Sequence, residues 1–389
     1  MVNPGSSAPV GEAPASEAPV SKAPVGGPPL GGPPLGGAPV EGDRAKKASV
    51  QVFGTVFFDL VFSDLPLPPR PGTEVRTGRL GLSPGGSANI AVALARLGLD
   101  ARLSAPFAAD AFGHFLWSSL HHEGVDLSSS PKSSTWTTPV TVSLAYRRER
   151  SLVTYEEVAP ESPAQLLAQS LDEDGTSDLV ADACYLPLAG TERAWLEKAR
   201  DRFGVFFADV GWDEAERWDT DLVEELSLVD VFLPNAAEAM AYSRTSTPLE
   251  AAKALARHVP LAVVKCGSDG AVAAGQGLEK PVVIGALPVD AVDTTGAGDV
   301  FDAAFIYGTL AGWPVHQRLR FANLCAGESV RYPGGSLSAP CWRDLSAWWR
   351  HQQDPGVKEA FAFLPELLET CVASQMCQRP CASLPWHAG

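Results

Sequence analysis

The heptapeptide Asp293-Thr294-Thr295-Gly296-Ala297-Gly298-Asp299 sets small residues and two carboxylates at the mouth of an apolar, periodic segment. Apolar residues then recur at 300, 303, 304, 306, 307 and 310, the spacing of a helix with one buried face. Pro281 to Val292, just before, reads as a strand-like run. Gly296, Ala297 and Gly298 therefore stand where a loop enters a helix, and the unpaired N–H groups and dipole of that end attract an anion. Asp299 occupies the same point. A carboxylate beside a bound anion is electrostatically awkward unless it works, taking the proton from a hydroxyl that attacks a phosphoryl group. In isolation the same residues also describe an ordinary helix start with a glycine turn.

Four further stretches carry chemistry. Val50 to Val61 reads as one strand with Asp59 near its end, the place where open α/β sheets present groups to ligands. Gly85-Gly86-Ser87-Ala88-Asn89 leads into a helix, Ile90 to Leu97, closed by Gly98. A carboxylate, an amide and bare glycine backbone together suit a polyhydroxylated ligand. Asn235 and Glu238, in Leu233-Pro-Asn-Ala-Ala-Glu, have the spacing of a helix cap close to a capping box. Lys265 precedes a Gly-x-x-Gly turn, Gly267 to Gly270, which serves either a plain hairpin or a nucleotide approaching the backbone.

The elements that must hold these residues alternate. Strand-like and helical patterns follow one another from Asp178 to Cys266, which argues for a parallel sheet covered on both faces. Residues 62–82 and 135–157 read as β excursions, a lid whose closure would exclude water. Arg147, Arg148 and Arg150 mark a hairpin tip there. Leu319 to Arg331 reads as a helix bearing Asn323, followed by the loop Tyr332 to Ser338. Lys358 to Val372 reads as one helix. Cys371, Cys377, Cys381 and His387 are zinc-capable types in spacing that fits no zinc pattern, and Trp342, Trp348 and Trp349 suit packing. Residues 1–48, made of Ala-Pro-Val and Gly-Gly-Pro-Pro-Leu units, cannot bury enough surface to order, so the ordered domain is expected over 49–350, with a helix and tail over 351–389.

Bulk composition excludes several classes. A net charge of -16 argues against nucleic acid or an anionic membrane as partner. No apolar run approaches the roughly 18 residues that span a bilayer, and no secretory signal is visible. Seven scattered cysteines are no disulfide framework, so the chain is expected to be cytoplasmic.

Taken in order, these stretches resemble the PfkB/ribokinase family of carbohydrate kinases. Gly-Gly-x-Ala-Asn-Ile-Ala-x-Ala-Leu-Ala-Arg-Leu-Gly from Gly85 resembles its first signature, and Asp293 to Asp299 its second. Asn235-x-x-Glu238 and Gly267-x-x-Gly270 match its intermediate motifs. The glycine pair lies one residue closer to Asn89 than in ribokinase-type sequences, and Phe57 replaces a frequent polar residue, so the resemblance does not identify the sugar.

The resemblance implies an α/β fold, a three-layer α/β/α sandwich with a mainly parallel sheet and a small β lid. It implies transfer from ATP to a hydroxymethyl group of a sugar, with Asp299 as base and Gly296, Ala297 and Gly298 as anion hole. Asp59, Gly85, Gly86 and Asn89 would hold the acceptor; Asn235, Lys265, Gly267, Gly270 and Asn323 the nucleotide. Asn235 and Glu238 would hold Mg²⁺ through water. Asp293, Thr295, Ser329, Tyr332, Gly334 and Ser338 would surround a monovalent cation such as K⁺, and the lid would join two copies. A nucleoside kinase, with Phe57 and Phe58 stacking on a base, and a catalytically idle sugar-binding regulator are the alternatives.

Overall fold

In the computed structural model, which describes residues 47–146, 149–170, 180–188, 193–211, 216–218, 221–332 and 334–373, the run Val50–Val61 is two strands in two sheets rather than one. β1 (Ser49–Phe53) is buried throughout, as a Val- and Phe-rich strand covered on both faces must be. The chain turns at Gly54 and Thr55 and leaves in β2 (Val56–Leu65), carrying Asp59 out of the sheet expected to present it. β3 (Arg79–Gly86) returns antiparallel to β2, sets Ser83 opposite Asp59, and ends at the Ser87–Arg96 helix. β4 (Asp100–Ser104) then pairs with β1. The short β5 (Phe107–Ala108) and β6 (Lys132–Ser133) form a separate pair around the Ala111–His122 helix, which Asp110 caps through the Gly113 N–H.

β7 (Val140–Tyr146) and β8 (Glu149–Tyr155) complete a four-stranded sheet in the order β3-β2-β7-β8. This second sheet reaches back to Val56 and on to Gly86, beyond the 62–82 limits read from the sequence, because its first strand was merged into the apolar run before it. Arg147 and Arg148 lie outside the described residues, as do residues 1–46, Cys377, Cys381 and His387.

β9 (Ala181–Leu188), β10 (Phe203–Val210), β11 (Val231–Phe232) and β12 (Leu261–Lys265) add to the main sheet in parallel. An antiparallel edge, β13 (Ala271–Gly275) and β14 (Val282–Ile284), closes it in the order β14-β13-β12-β11-β10-β9-β1-β4. The chain builds outward on both sides of β1, so the strand order reverses between β1 and β9, the kind of switch point beyond whose carboxyl ends open α/β sheets bind ligands. Alternation sorts the side chains by face. Cys184, Leu186, Phe206, Ala208, Phe232, Ala262 and Val264 share one core with the Arg193–Ala199, Ala236–Ser243 and Pro248–Leu255 helices. The residues between them, among them Tyr185, Asp209 and Lys265, belong to the opposite face.

Helices cover that face too. Ala297–Leu310 packs against Val315–Ser329 and against Ser87–Arg96, so Phe301, Asp302 and Phe305 are buried along with Val300, Ala303, Ala304 and Ile306 of the expected apolar stripe, while Tyr307 and Leu310 are half-buried. Only Val282–Ile284 of the Pro281–Val292 run is strand. The expected Lys358–Val372 helix is two helices, Pro355–Ala360 and Pro365–Ala373, because Pro365 cannot continue a helix but starts one well. Trp342 is fully buried, its indole donating to the Leu97 carbonyl at 2.9 Å. Trp348 meets the Phe361 ring edge-on, so these indoles pack as expected. Cys371 is buried beside the Tyr307 hydroxyl. Among the described residues, Cys184, Cys266, Cys325 and Cys371 are free thiols, while Cys341 is disulfide-bonded. No helix among the described residues is long and apolar enough to cross a membrane.

Candidate active site

The Ala297–Leu310 helix begins at Gly296, whose φ of 73° is left-handed and suits glycine. A β-carbon there would also press on the Asn89 amide, 3.1 Å away. Of the three expected anion-hole donors, the Ala297 N–H already donates to the Thr294 carbonyl at 3.3 Å. The first-turn N–H groups of Gly298 and Asp299 have no carbonyl to meet within the helix.

Asp299 accepts from Asn89 Nδ2 at 2.9 Å. Burial pushes its carboxyl up to about 6, Asp209 adding to the rise while Lys265 and the Asn89 hydrogen bond restrain it. Asn89 is buried, so its amide holds the carboxylate; its Oδ1 has no hydrogen-bond partner among the described residues. The motifs read separately at Asn89 and Asp299 are thus one unit, joined across 210 residues of chain.

Asp59 and the glycine pair also come together. The Asp59 carboxylate lies over Gly85, where an added β-carbon would stand 2.2 Å from Oδ2. Glycine is required there by close approach, and the diagonal contact across the β2–β3 ladder explains it. Beside them the Phe57 ring lies against Gly86, whereas Phe58 is buried against Phe112 and Phe115.

Asn235 and Glu238 form a complete capping box, with Glu238 N–H donating to Asn235 Oδ1 and Asn235 N–H to Glu238 Oε2, both at 3.0 Å. Burial, and then the negative charge of Asp209, push the Glu238 carboxyl up to about 7. Lys265, expected on phosphate, instead bonds two carboxylates, Asp209 at 2.7 Å and Asp302 at 2.8 Å. Gly267 and Gly270 flank the 3-10 turn of the β12–β13 hairpin, and Gly270 lies against the Ile284 carbonyl. Asn323 donates to the Ile284 and Gly285 carbonyls at 3.2 and 3.3 Å and lines a cavity of about 160 Å³ with Leu287 and Val357.

Asp293 is buried and accepts from the backbone N–H groups of Thr295 at 2.9 Å and Gly334 at 3.1 Å. The loop it holds reaches β3. Ser83 Oγ donates to the Gly334 carbonyl at 2.6 Å and Ser336 Oγ to the Pro84 carbonyl at 2.7 Å. Ser338 donates to Gly335, and the Ser329 carbonyl accepts from the Tyr332 N–H.

A carboxylate at the mouth of a first-turn anion site, fastened to a Gly-Gly-x-Ala-Asn helix, is a constellation that comparison can test. The family model of the pfkB family carbohydrate kinases matches residues 47–342. The chain belongs to that family. It is an ATP-dependent carbohydrate kinase of the ribokinase-like α/β fold. The ribokinase of Haemophilus influenzae is 25% identical over 313 residues, 78% of this chain and 99% of the relative. The 5-dehydro-2-deoxygluconokinase of Geobacillus thermodenitrificans is 26% identical over 308 residues, 73% of this chain and 88% of the relative. The Arabidopsis thaliana ribokinase solved with ribose and ATP shares the fold, with TM-score 0.61, 22% identity and coverage of 77% of this chain and 98% of that one.

In this pfkB-family site the groups suited to metals can be judged on their own chemistry. Glu238 is a buried carboxylate beside Asp209, and a divalent cation would relieve their repulsion. Asn235 Oδ1 is committed to its cap, so that residue would reach a metal only through water. Asp293 is a buried anion held by backbone N–H groups, which fits a monovalent cation among neighbouring carbonyls. Sequence reasoning missed Asp209, Asp302, Tyr185 and Ser83. Asp209 had a signal, a carboxylate next to the last residue of an apolar strand; the others had none.

Proposed function

We propose that this kinase transfers the γ-phosphoryl group of ATP to a hydroxymethyl group of a sugar or sugar derivative, with Asp299 as general base. The observation that carries this reading is the Asp299 carboxylate, fixed by Asn89 at the first turn of the Ala297–Leu310 helix and tuned to about 6. The acceptor hydroxyl passes its proton to Asp299 while its oxygen bonds the γ-phosphorus. The bond from that phosphorus to the bridging oxygen breaks, and the electron pair leaves with ADP. Backbone N–H groups over Gly296, Ala297 and Gly298 stabilise the charge in transit, worth about 3 kcal/mol for each donor in comparable sites.

Asp59, with the bare backbone of Gly85 and Gly86, binds acceptor hydroxyls; Asn89 acts on the acceptor by aiming Asp299. Glu238 and Asn235 would hold Mg²⁺ through water, and the ion would supply positive charge to the phosphates. Gly267 and Gly270 border the nucleotide, and adenine lies by the Asn323 cavity. Asp293, Thr295 and the carbonyls of Ser329, Tyr332 and Gly334, with Ser338, would hold a monovalent cation such as K⁺. The β3-β2-β7-β8 sheet closes over the acceptor as a lid.

The test is ADP release from ATP across a panel holding ribose, fructose, 5-dehydro-2-deoxygluconate and purine nucleosides. Turnover of a nucleoside alone would favour the nucleoside reading, for which Phe57 against Gly86 is the available stacking face. Acceptor binding with no turnover would favour the regulator.

The acid limb of activity is a second expectation. Asp299 works only when ionised, so log kcat/KM, which follows the free enzyme, should fall with unit slope as pH drops below about 6 and stay level above it. A flat profile down to pH 5 would remove the base assignment.

The lid also has an edge to cover. β8 is an edge strand with Leu152, Val153 and Tyr155 exposed, and Leu80 is exposed on β3 at the other edge. A second copy of the chain docking there would bury these residues. Val153→Glu should then turn a dimer into a monomer in sedimentation velocity; a monomeric parent chain would end the idea.

A further inference from the structure

Asp209 and Asp302 lie outside the acceptor pocket and the hairpin turn expected at the nucleotide, yet both reach one ammonium. Lys265 Nζ is 2.7 Å from Asp209 Oδ2 and 2.8 Å from Asp302 Oδ2. Three elements meet there: the carboxyl end of β10, the last residue of β12, and the Ala297–Leu310 helix one turn in from its start. A β-carbon added to Gly298 would stand 3.6 Å from Nζ, so the ammonium lies directly under the turn that carries the Gly298 N–H.

Packing alone does not ask for this arrangement. Asp302 is fully buried and its Oδ1 has no hydrogen-bond partner among the described residues. An unpaired buried oxygen costs stability that an apolar residue would not, and such a cost calls for another explanation. Among the described residues, Lys265 is also the one cation acting on Asp299, Asp302 and Glu238 alike. The groups around it are otherwise acidic or neutral: Asp209 from β10, Asp299 and Asp302 from the helix, Glu238 from the Ala236–Ser243 helix, Tyr185 from β9, and Asn89.

We propose that Lys265 is a positioning residue for phosphoryl transfer: pinned by Asp209 and Asp302, it supplies a fixed positive charge beneath the Gly296–Gly298 turn and acts through that turn without touching the nucleotide. The proposal rests on reading this turn as the anion hole. Two carboxylates from different elements hold the ammonium in place, so it need not reorganise as charge moves onto the transferring group. Burial by itself would lower the Lys265 ammonium, but the two carboxylates outweigh it and hold it well above the usual range, so the charge persists across the working pH.

The test is calorimetric titration of the full chain with MgADP alone and with MgADP plus aluminium fluoride, a mimic of the transferring phosphoryl group. The parent chain should bind tighter when fluoride is present. Lys265→Met should lose about 100-fold of that tightening, as removal of an anion-hole donor does, while affinity for MgADP alone stays largely unchanged. Where Lys265→Met does not fold, Lys265→Met with Asp302→Asn, which removes one charge of each sign, is read for the same loss. Tightening equal to the parent overturns the proposal. So does a parallel loss of both affinities, which marks a residue that only holds the fold. A parent chain that shows no tightening takes away the anion-hole reading itself, a failure visible before any variant is made.

Discussion

Asp299→Asn is expected to lower kcat by at least ~100-fold, the scale of a lost general base, while MgADP still binds. Asparagine keeps the shape and can still meet the Asn89 amide after one of the two turns over, so the hydrogen bond at 2.9 Å need not be lost with the charge. What disappears is the capacity to take the acceptor's proton. Removing a carboxylate from the anion site also lessens repulsion of the nucleotide, so MgADP affinity should hold or rise. Steady-state rates on the acceptor found in the panel, with calorimetry for MgADP, separate the two quantities. Unchanged turnover would sink the base assignment; loss of turnover together with nucleotide binding would point to a damaged helix start instead.

The second large effect is expected from one methyl group. In Gly85→Ala the new β-carbon would fall 2.2 to 2.4 Å from all three atoms of the Asp59 carboxyl group, an overlap that backbone on a paired strand cannot relieve. The carboxylate must swing away from the acceptor side. Losing a hydrogen bond to a charged group costs about 2–3 kcal/mol, so KM for the acceptor should rise roughly 30-fold to 150-fold. KM for ATP should stay near its starting value, because Asp59 and the nucleotide motifs sit on different elements. Equal increases in both constants would mean that the substitution disturbs the lid as a whole.

Some of this could be read along the chain because it is local. A capping box joins residues three apart, so Asn235 and Glu238 declare themselves in six letters, and the hydrogen bonds match. Gly296 to Asp299 likewise states a helix start and a carboxylate in one turn. Element type followed from periodicity over β9 to β12 and their helices, since the strands are mainly apolar and alternate with helical patterns.

Errors arose where a local pattern had two outcomes. Val50 to Val61 is mostly apolar, and although Gly54 and Thr55 mark a break in it, they do not say that the chain changes sheets there. Pro365 is a visible breaker within an otherwise periodic stretch, and the helix divides there. A lysine before a glycine turn does not announce which anion it will meet, and here the fold pairs Lys265 with Asp209 and Asp302.

By itself, the sequence determined the family and its local elements: a glycine-rich helix start with a carboxylate, a capping box and a Gly-Gly-x-Ala-Asn helix start, each written within a few residues. Tertiary structure alone decided how they act together. It bonded Asn89 to Asp299, laid Asp59 over Gly85, and drew Lys265 between Asp209 and Asp302. Those contacts depend on strand register and on which face a side chain takes, quantities set by packing between segments far apart in the chain.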